Sequence, residues 1–253
     1  MKSLTWDYTS LAHTYAGRPP YADAVIDELI SIAGVAAGDR VCDIGAGTGH
    51  LSVQLVAHGL AVDAVEPNDA MRTIGCERLA DAPVDWFEAR AEATGRPGRA
   101  YALVTFGSSF NVVEPEETLA EVDRILEPRG WVALMWNHRD LDTDPLQIEI
   151  EALIASRIPG YDYGSRRRDP SGDLAASGRF EPARHLQATV RHELDADGWV
   201  EAWTSHATLA RQAGDRFEAI VDRIGALVAD AQEDGRIAVP YTTRCWIAQL
   251  RER

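Results

Sequence analysis

The chain has 253 residues, 45% of them hydrophobic and 26% charged, enough apolar material for one full α/β core and too much for a disordered or fibrous protein. Twenty-five basic residues against 40 acidic ones leave a formal charge of −15. That balance argues against unaided binding to nucleic acid or to an anionic membrane and makes a small molecule the expected partner.

The three cysteines, Cys42, Cys76 and Cys245, form no C-x-x-C pair, so neither a disulfide framework nor a zinc site is expected, and a reducing cytoplasm fits. Residues 1–20 are rich in aromatics and turn formers, lack the apolar run of a secretory signal, and read as a lid. An amphipathic helix follows at 21–33, with Val25, Ile26, Leu29 and Ile32 on its apolar face. From residue 40, apolar β-type runs at 40–44, 61–65, 84–88, 100–106 and 131–136 alternate with helical patterns at 51–58, 70–80 and 116–126. Such alternation marks βαβ units building a parallel sheet. Pro115 opens the third of these helices, and Pro128 and Gly130 follow its end. After Trp136 come an acidic turn at 140–145, a helix at 146–158 and a Gly-, Arg- and Asp-rich loop at 159–178, an insertion expected to lie over a site. Alternation at 184–194 predicts a strand, 216–231 a long helix, and 241–250 a last strand able to pair antiparallel with 184–194.

The most informative segment is Val41-Cys42-Asp43-Ile44-Gly45-Ala46-Gly47-Thr48-Gly49, a strand running into a glycine-rich turn before a helix. Glycines there let the backbone approach a ligand, and a helix N-terminus favours polar or anionic groups. The dinucleotide pattern G-x-G-x-x-G needs glycine at position 50, which is His50, so NAD is disfavoured. Glu66 ends the second strand, 17 residues after Gly49. An acid there can accept hydrogen bonds from both hydroxyls of a ribose, so the expected ligand is adenosine-like.

At these residues the sequence resembles the class I S-adenosylmethionine-dependent methyltransferases, and within them the small-molecule subgroup of ubiquinone/menaquinone and trans-aconitate methyltransferases. The resemblance covers nearly the whole chain. Asp43-Ile44-Gly45-Ala46-Gly47-Thr48-Gly49 looks like the first family motif, which implies a loop holding the methionine part of S-adenosylmethionine. Glu66-Pro67-Asn68 with Met71 resembles the second, an acid on the ribose and an apolar side chain near adenine, and Ala91-Glu92 resembles the adenine-contacting pair. Thr105-Phe106-Gly107-Ser108-Ser109-Phe110 looks like the stretch facing the sulfonium, so Phe106, Gly107 and Ser108 join the implied cofactor site. Trp136-Asn137 and Pro240-Tyr241-Thr242-Thr243 match patterns of bacterial members. Trp6-Asp7-Tyr8, Tyr15 and Arg18-Pro19-Pro20-Tyr21 resemble the subgroup's cap, with Tyr15 and Arg18 implied to close over the cofactor and Tyr15 able to lean on the sulfonium. Many relatives carry His-Trp where this chain has Asn111-Val112; Asn111 can orient a substrate but cannot take a proton.

Methyl transfer from a sulfonium is an in-line displacement, so alignment and exclusion of water matter most and a base is optional. His138, just past the fifth strand at the carboxyl edge of the sheet, is the first candidate base, ahead of His206 and His13. Arg166-Arg167-Arg168 reads either as a clamp for a substrate anion or as solvated loop charge. No metal-ligand pattern and no G-x-S-x-G elbow occurs, and no Asn-Pro-Pro-Tyr follows the fourth strand as in nucleic-acid methyltransferases.

The expected fold is a single α/β domain, a Rossmann-like seven-stranded sheet with the last strand antiparallel and helices on both faces. It divides into an N-terminal helical cap (1–33), a cofactor-binding core (34–136), an insertion after strand five (137–180) and C-terminal strands and helix (181–253). The expected function is S-adenosylmethionine-dependent methylation of a small molecule by a cytoplasmic monomer or homodimer, without metal, membrane or nucleic acid. The arginine-rich, lysine-poor composition suggests a secondary metabolite as acceptor. Two other classes stay open: a protein that binds the cofactor without transferring its methyl, and a nucleotide-dependent oxidoreductase.

Overall fold

A computed structural model describes residues 9, 12–15, 18–162, 167–204 and 206–252. The chain opens with a short helix α1 (Ala12–Tyr15) and α2 (Asp23–Ala33), which buries Val25, Ile26 and Leu29 and stops where Gly34 turns left-handed and returns its N–H to the carbonyl of Ile30 at 3.0 Å. Strand and helix then alternate through β1 (Arg40–Ile44), α3 (His50–Ala57), β2 (Ala61–Val65), α4 (Asp69–Arg78), β3 (Val84–Phe87), β4 (Tyr101–Gly107), α5 (Pro115–Ile125) and β5 (Leu126–Arg139). The remainder is α6 (Pro145–Arg157), α7 (Ser171–Ala176), β6 (Arg184–Asp195), α8 (Ala196–Thr204), α9 (Ala207–Ala213), α10 (Phe217–Ala231) and β7 (Arg236–Gln249).

The seven strands form one sheet in the order β3-β2-β1-β4-β5-β7-β6. Neighbours among β1 to β5 run parallel, and β7 runs antiparallel to both β5 and β6. The strand order reverses between β1 and β4, so the carboxyl ends of those two strands frame the crevice where open α/β sheets bind ligands.

Two strands outrun their sequence signal. β5 starts at Leu126, paired with Tyr101, and continues past Trp136 to Arg139, because β7 keeps pairing with its polar end from Asn137↔Thr243 to Arg139↔Tyr241. β7 begins at Arg236 and passes through Pro240, tolerated because pairing with β5 stops at Tyr241 and leaves β6 as its only strand neighbour there. Helix α7 lies in the stretch that the sequence reads as loop, and α8 and α9 lie in one to which it assigns no element.

Apolar side chains pack on both faces of the sheet, Phe106, Leu119, Val122 and Trp136 in one cluster and Ile26, Leu29, Leu55, Val62 and Met135 in the other. A third cluster joins α6, α8, α9 and α10 through Ile150, Ile154, Trp199, Trp203, Ile220 and Ile224, with Ile237 and Val239 of β7. Among the described residues no helix is long and apolar enough to cross a membrane.

Candidate active site

The carboxyl edge of the sheet opens into a cavity of about 310 Å³. Its floor is the turn after β1. Gly47 (φ 58°) lines it, and a Cβ there would sit 3.4 Å from Met71 Cε, narrowing the slot between loop and α4. Gly49 is off the cavity: its left-handed backbone (φ 79°) starts α3, and a Cβ would approach Leu79 Cδ1 to 2.9 Å, so its glycine serves helix packing.

Asp43 holds this turn from below. Its carboxylate is fully buried, accepts hydrogen bonds from Ser52 Oγ (2.7 Å) and Thr105 Oγ1 (3.0 Å), and thereby ties β1 to α3 and β4. Burial pushes its pKa up to about 6, opposed by the two hydroxyls. Ser109 Oγ adds a bond to the Ile44 carbonyl at 2.6 Å.

At the end of β2, Glu66 is 8% exposed and lines the cavity. Oε2 accepts the Gly47 N–H at 2.9 Å and Oε1 the Asn68 N–H at 2.8 Å, which leaves each oxygen a further lone pair. Burial raises its carboxyl above the ordinary range, against the pull of those two N–H groups. Asn68 caps α4 by accepting the Met71 N–H at 3.0 Å, and its Nδ2 donates to Thr9 Oγ1 at 3.0 Å. Gly45, Ala46, Pro67, Met71, Ala91 and Glu92 complete this side, with Glu92 accepting from Glu114 N–H and Arg90 Nε, both at 3.2 Å. Gly107 and Ser108 close it at the end of β4, where Ser108 takes φ 59° and its Oγ shares a 3.0 Å hydrogen bond with the Tyr21 hydroxyl.

The cap is latched to this floor. His50, at the position that breaks the dinucleotide pattern, donates from Nε2 to the Arg18 carbonyl at 2.9 Å, and its Nδ1 accepts from Thr48 Oγ1 at 3.2 Å. Burial, with Arg78 nearby, lowers its pKa to about 4, so the ring is neutral near pH 7. The Arg18 guanidinium lies 3.9 Å over the Tyr15 ring, and both side chains line the cavity. Asn137 Nδ2 donates to the Pro20 carbonyl at 2.9 Å, and the Ala22 N–H to Thr243 Oγ1 at 2.8 Å, fixing the following segment to β5 and β7. Trp6, Asp7 and Tyr8 lie outside the described residues, as does the side chain of His13.

The opposite half is built from sequence-distant parts. His138 and Arg139 come from the end of β5, Trp199 and Trp203 from α8, and His206, Thr208, Tyr241 and Arg167 complete the wall. Arg139 stacks 4.0 Å over Trp203, donates to Gln147 Oε1 at 2.8 Å and pairs with Glu151 at 3.3 Å. Trp199 Nε1 donates to the Tyr241 hydroxyl at 3.3 Å. His206 accepts the Leu209 N–H at Nδ1 (3.2 Å), so its neutral ring carries the proton on Nε2 and is a donor rather than a base.

Not every expected site residue reaches the cavity. Phe106 is fully buried, edge-on to Phe110 with ring centres 5.4 Å apart. Thr48 is buried beside His50 and, with Gly49, does not line the cavity. Asn111 is also displaced: the 3-10 turn Phe110–Val112 brings Val112 to the cavity, while Asn111 Oδ1 accepts the Trp136 indole N–H at 3.0 Å beside a separate pocket of about 50 Å³. Arg166 lies outside the described residues, and Arg168 pairs with Asp173 at 2.5 Å. Conversely, His50, Arg139, Trp199, Trp203 and Tyr241 line the cavity without a sequence motif that marks them as site residues; the i, i+4 tryptophan pair is the one local signal. Among the described residues no cluster of three His, Cys, Asp or Glu side chains is placed to hold a metal ion.

A family profile described as a methyltransferase domain matches residues 41–130. An uncharacterized methyltransferase of Mycobacterium tuberculosis is 36% identical over 239 residues, 92% of this chain and 91% of its own. A demethylmenaquinone methyltransferase of Clavibacter sepedonicus is 31% identical over 214 residues, 81% and 78% of the two chains. The fold is shared with a structure described as a candidate type II methyltransferase from Anaeromyxobacter dehalogenans, at TM-score 0.63 and 21% identity over 92% of this chain and 97% of the other. Identity of this level across nearly the full length of both sequences shows that the chain belongs to the S-adenosylmethionine-dependent methyltransferase family.

Proposed function

We propose that the half of the cavity around Gly47 and Glu66 holds S-adenosylmethionine, and that the half under α8 and α9 takes a small-molecule methyl acceptor. The residues fit that cofactor. Glu66 offers one further acceptor site on each oxygen, suited to a ribose hydroxyl pair, and the left-handed Gly47, where a Cβ would come to 3.4 Å of Met71 Cε, keeps the slot between loop and α4 open. Met71, Ala91 and Glu92 would flank the adenine, Gly45, Ala46 and Gly47 the methionine part, and Tyr15 and Arg18 would cover both. When bound, the cofactor supplies an electrophilic methyl carbon on a sulfonium.

The observation that carries this reading is the continuity of one cavity from Glu66 to His138 and Trp203. The protein's part in the reaction is to align acceptor and methyl and to exclude water. His138, which lines the acceptor half at the end of β5, takes the proton of a hydroxyl acceptor; an amine or enolate acceptor needs only placement. Asn111 is left out of this reading, because its carbonyl is engaged by Trp136.

The three free cysteines, two of them buried, fit a reducing cytoplasm, and the charge of −15 fits a small-molecule acceptor rather than nucleic acid. We place the enzyme there as a monomer or homodimer. Incubation with methyl-labelled cofactor and a metabolite extract tests the reading: labelled small products together with S-adenosylhomocysteine support it. Cofactor binding without any S-adenosylhomocysteine formed would favour a protein that binds and does not transfer.

A further inference from the structure

We propose that the outer edge of β6 (Arg184–Asp195) docks a second copy of this chain, the two edges pairing antiparallel about a two-fold axis at Thr189 and joining both sheets into one. This pairing is independent of the ligands assigned to the cavity.

β6 stands last in the strand order, beside β7, and among the described residues no strand pairs with its other edge. It is 12 residues long, and its register with β7 is unbroken throughout. Short length, proline, lysine and bulges are what keep sheet edges from pairing, and this strand has none of them.

The backbone phase of the edge follows from its neighbour. Asp140 donates its N–H to the Pro240 carbonyl at 3.0 Å, so Pro240 turns its backbone towards the β5 side and away from Arg191, its partner on β6. In an antiparallel ladder such pairs alternate with hydrogen-bonded ones. Arg191 therefore presents its N–H and carbonyl to the outer edge, as do His185, Gln187, Thr189 and Glu193. The bond from Ala196 N–H to the Gly235 carbonyl, at 2.9 Å, keeps the same phase. The Glu193 carbonyl already accepts Arg236 Nη2 at 2.7 Å and retains a second lone pair.

Two copies can exchange these groups only where outward residues meet. With the axis at Thr189, His185 faces Glu193 of the other copy, Gln187 faces Arg191, and Thr189 faces itself. No like charges stand opposite each other. Moving the axis to Ala188 sets His185 against Arg191, and moving it to Val190 sets Glu193 against Gln187. The side chains of His185, Gln187, Thr189, Arg191 and Glu193 are all exposed. On the other face Ala188 and Val190, half-buried beside Ile26 and Leu29 of α2, would lie opposite each other and be covered. The strand carries two arginines and two acids, so it is neutral in a chain of charge −15, and copies that repel elsewhere do not repel here.

The test uses the full chain in sedimentation equilibrium. We expect a species of twice the 27.7 kDa chain mass. Gln187→Pro removes one outward N–H and no bond of the β6–β7 ladder, so it should keep the wild-type circular dichroism and weaken dimerisation about tenfold or more. Thr189→Cys in a Cys76→Ser background, which leaves Cys42 and Cys245 buried, tests the axis without relying on that variant. A short bismaleimide should link its two copies, whereas Glu193→Cys, whose copies would stand about 26 Å apart, should stay unlinked. A monomer at every concentration would overturn the inference. So would a dimer unaffected by a folded Gln187→Pro, or a dimer in which Thr189→Cys links no better than Glu193→Cys.

Discussion

The Glu66 carboxylate accepts the backbone N–H of Gly47 at 2.9 Å across 19 residues of sequence, so one side chain sets the position of the glycine turn and also presents its remaining lone pairs to the cavity. Glu66→Ala removes both functions. A hydrogen bond to a charged group contributes about 1.5–3 kcal/mol. Calorimetry should therefore show S-adenosylhomocysteine bound roughly ten- to a hundredfold more weakly. Unchanged affinity would remove Glu66 from the cofactor site.

The His50 latch predicts a pH dependence. The folded-state pKa near 4 lies below that of a free imidazole, so the unfolded chain takes up the proton first as pH falls. The stabilisation is complete above the free value of about 6.5 and is lost progressively as pH falls towards 4. Asp43, raised to about 6, acts in the opposite sense: its stabilisation is present at low pH and lost as pH rises through 6. Because Asp43 is common to wild type and His50→Asn, comparing the two cancels it. The unfolding midpoint of wild type should fall more between pH 7 and pH 4.5 than that of the variant; parallel curves would contradict a neutral, bonded His50.

Asn111 separates the structural account from the sequence expectation. If its work is to satisfy the Trp136 indole, Asn111→Ala orphans a buried donor and costs about 1–3 kcal/mol of stability, while affinity for S-adenosylhomocysteine and turnover stay near wild type. Denaturant unfolding measures the first and a methyl-transfer assay the second. A large loss of turnover in a stable variant would return Asn111 to the reaction.

His138→Ala should lower turnover with a hydroxyl acceptor by about 10²–10⁴-fold and leave cofactor affinity intact. Full turnover with such an acceptor would make His138 part of the wall only.

What the sequence made legible follows from how local each signal is. β1 (Arg40–Ile44) and β2 (Ala61–Val65) match the predicted ranges, since each is a short buried run with turn residues close by. The glycine turn and Glu66 were readable together because strand ends place them 17 to 21 residues apart in a fixed arrangement. The sequence signal of β5 and β7 is shorter than the strands, because the polar end of β5 and Pro240 in β7 look like loop until their pairing is seen. The wall of Arg139, Trp199, Trp203 and Tyr241 was not legible, because its members are up to 102 positions apart and meet only through packing of α6, α8 and α10. The orientation of Asn111 is not legible for a related reason: a motif position fixes the chain, whereas the turn at Phe110–Val112 decides which way its side chain faces.

The most direct test of the central claim is thermal unfolding of the purified chain with saturating S-adenosylhomocysteine and, separately, with NADH. A ligand that binds only the folded state, at 100 times its dissociation constant, adds about 2.7 kcal/mol and raises the midpoint. The account predicts that rise with S-adenosylhomocysteine and none with NADH. A rise with NADH alone, or with neither, would contradict the assignment of the glycine turn and Glu66 to S-adenosylmethionine.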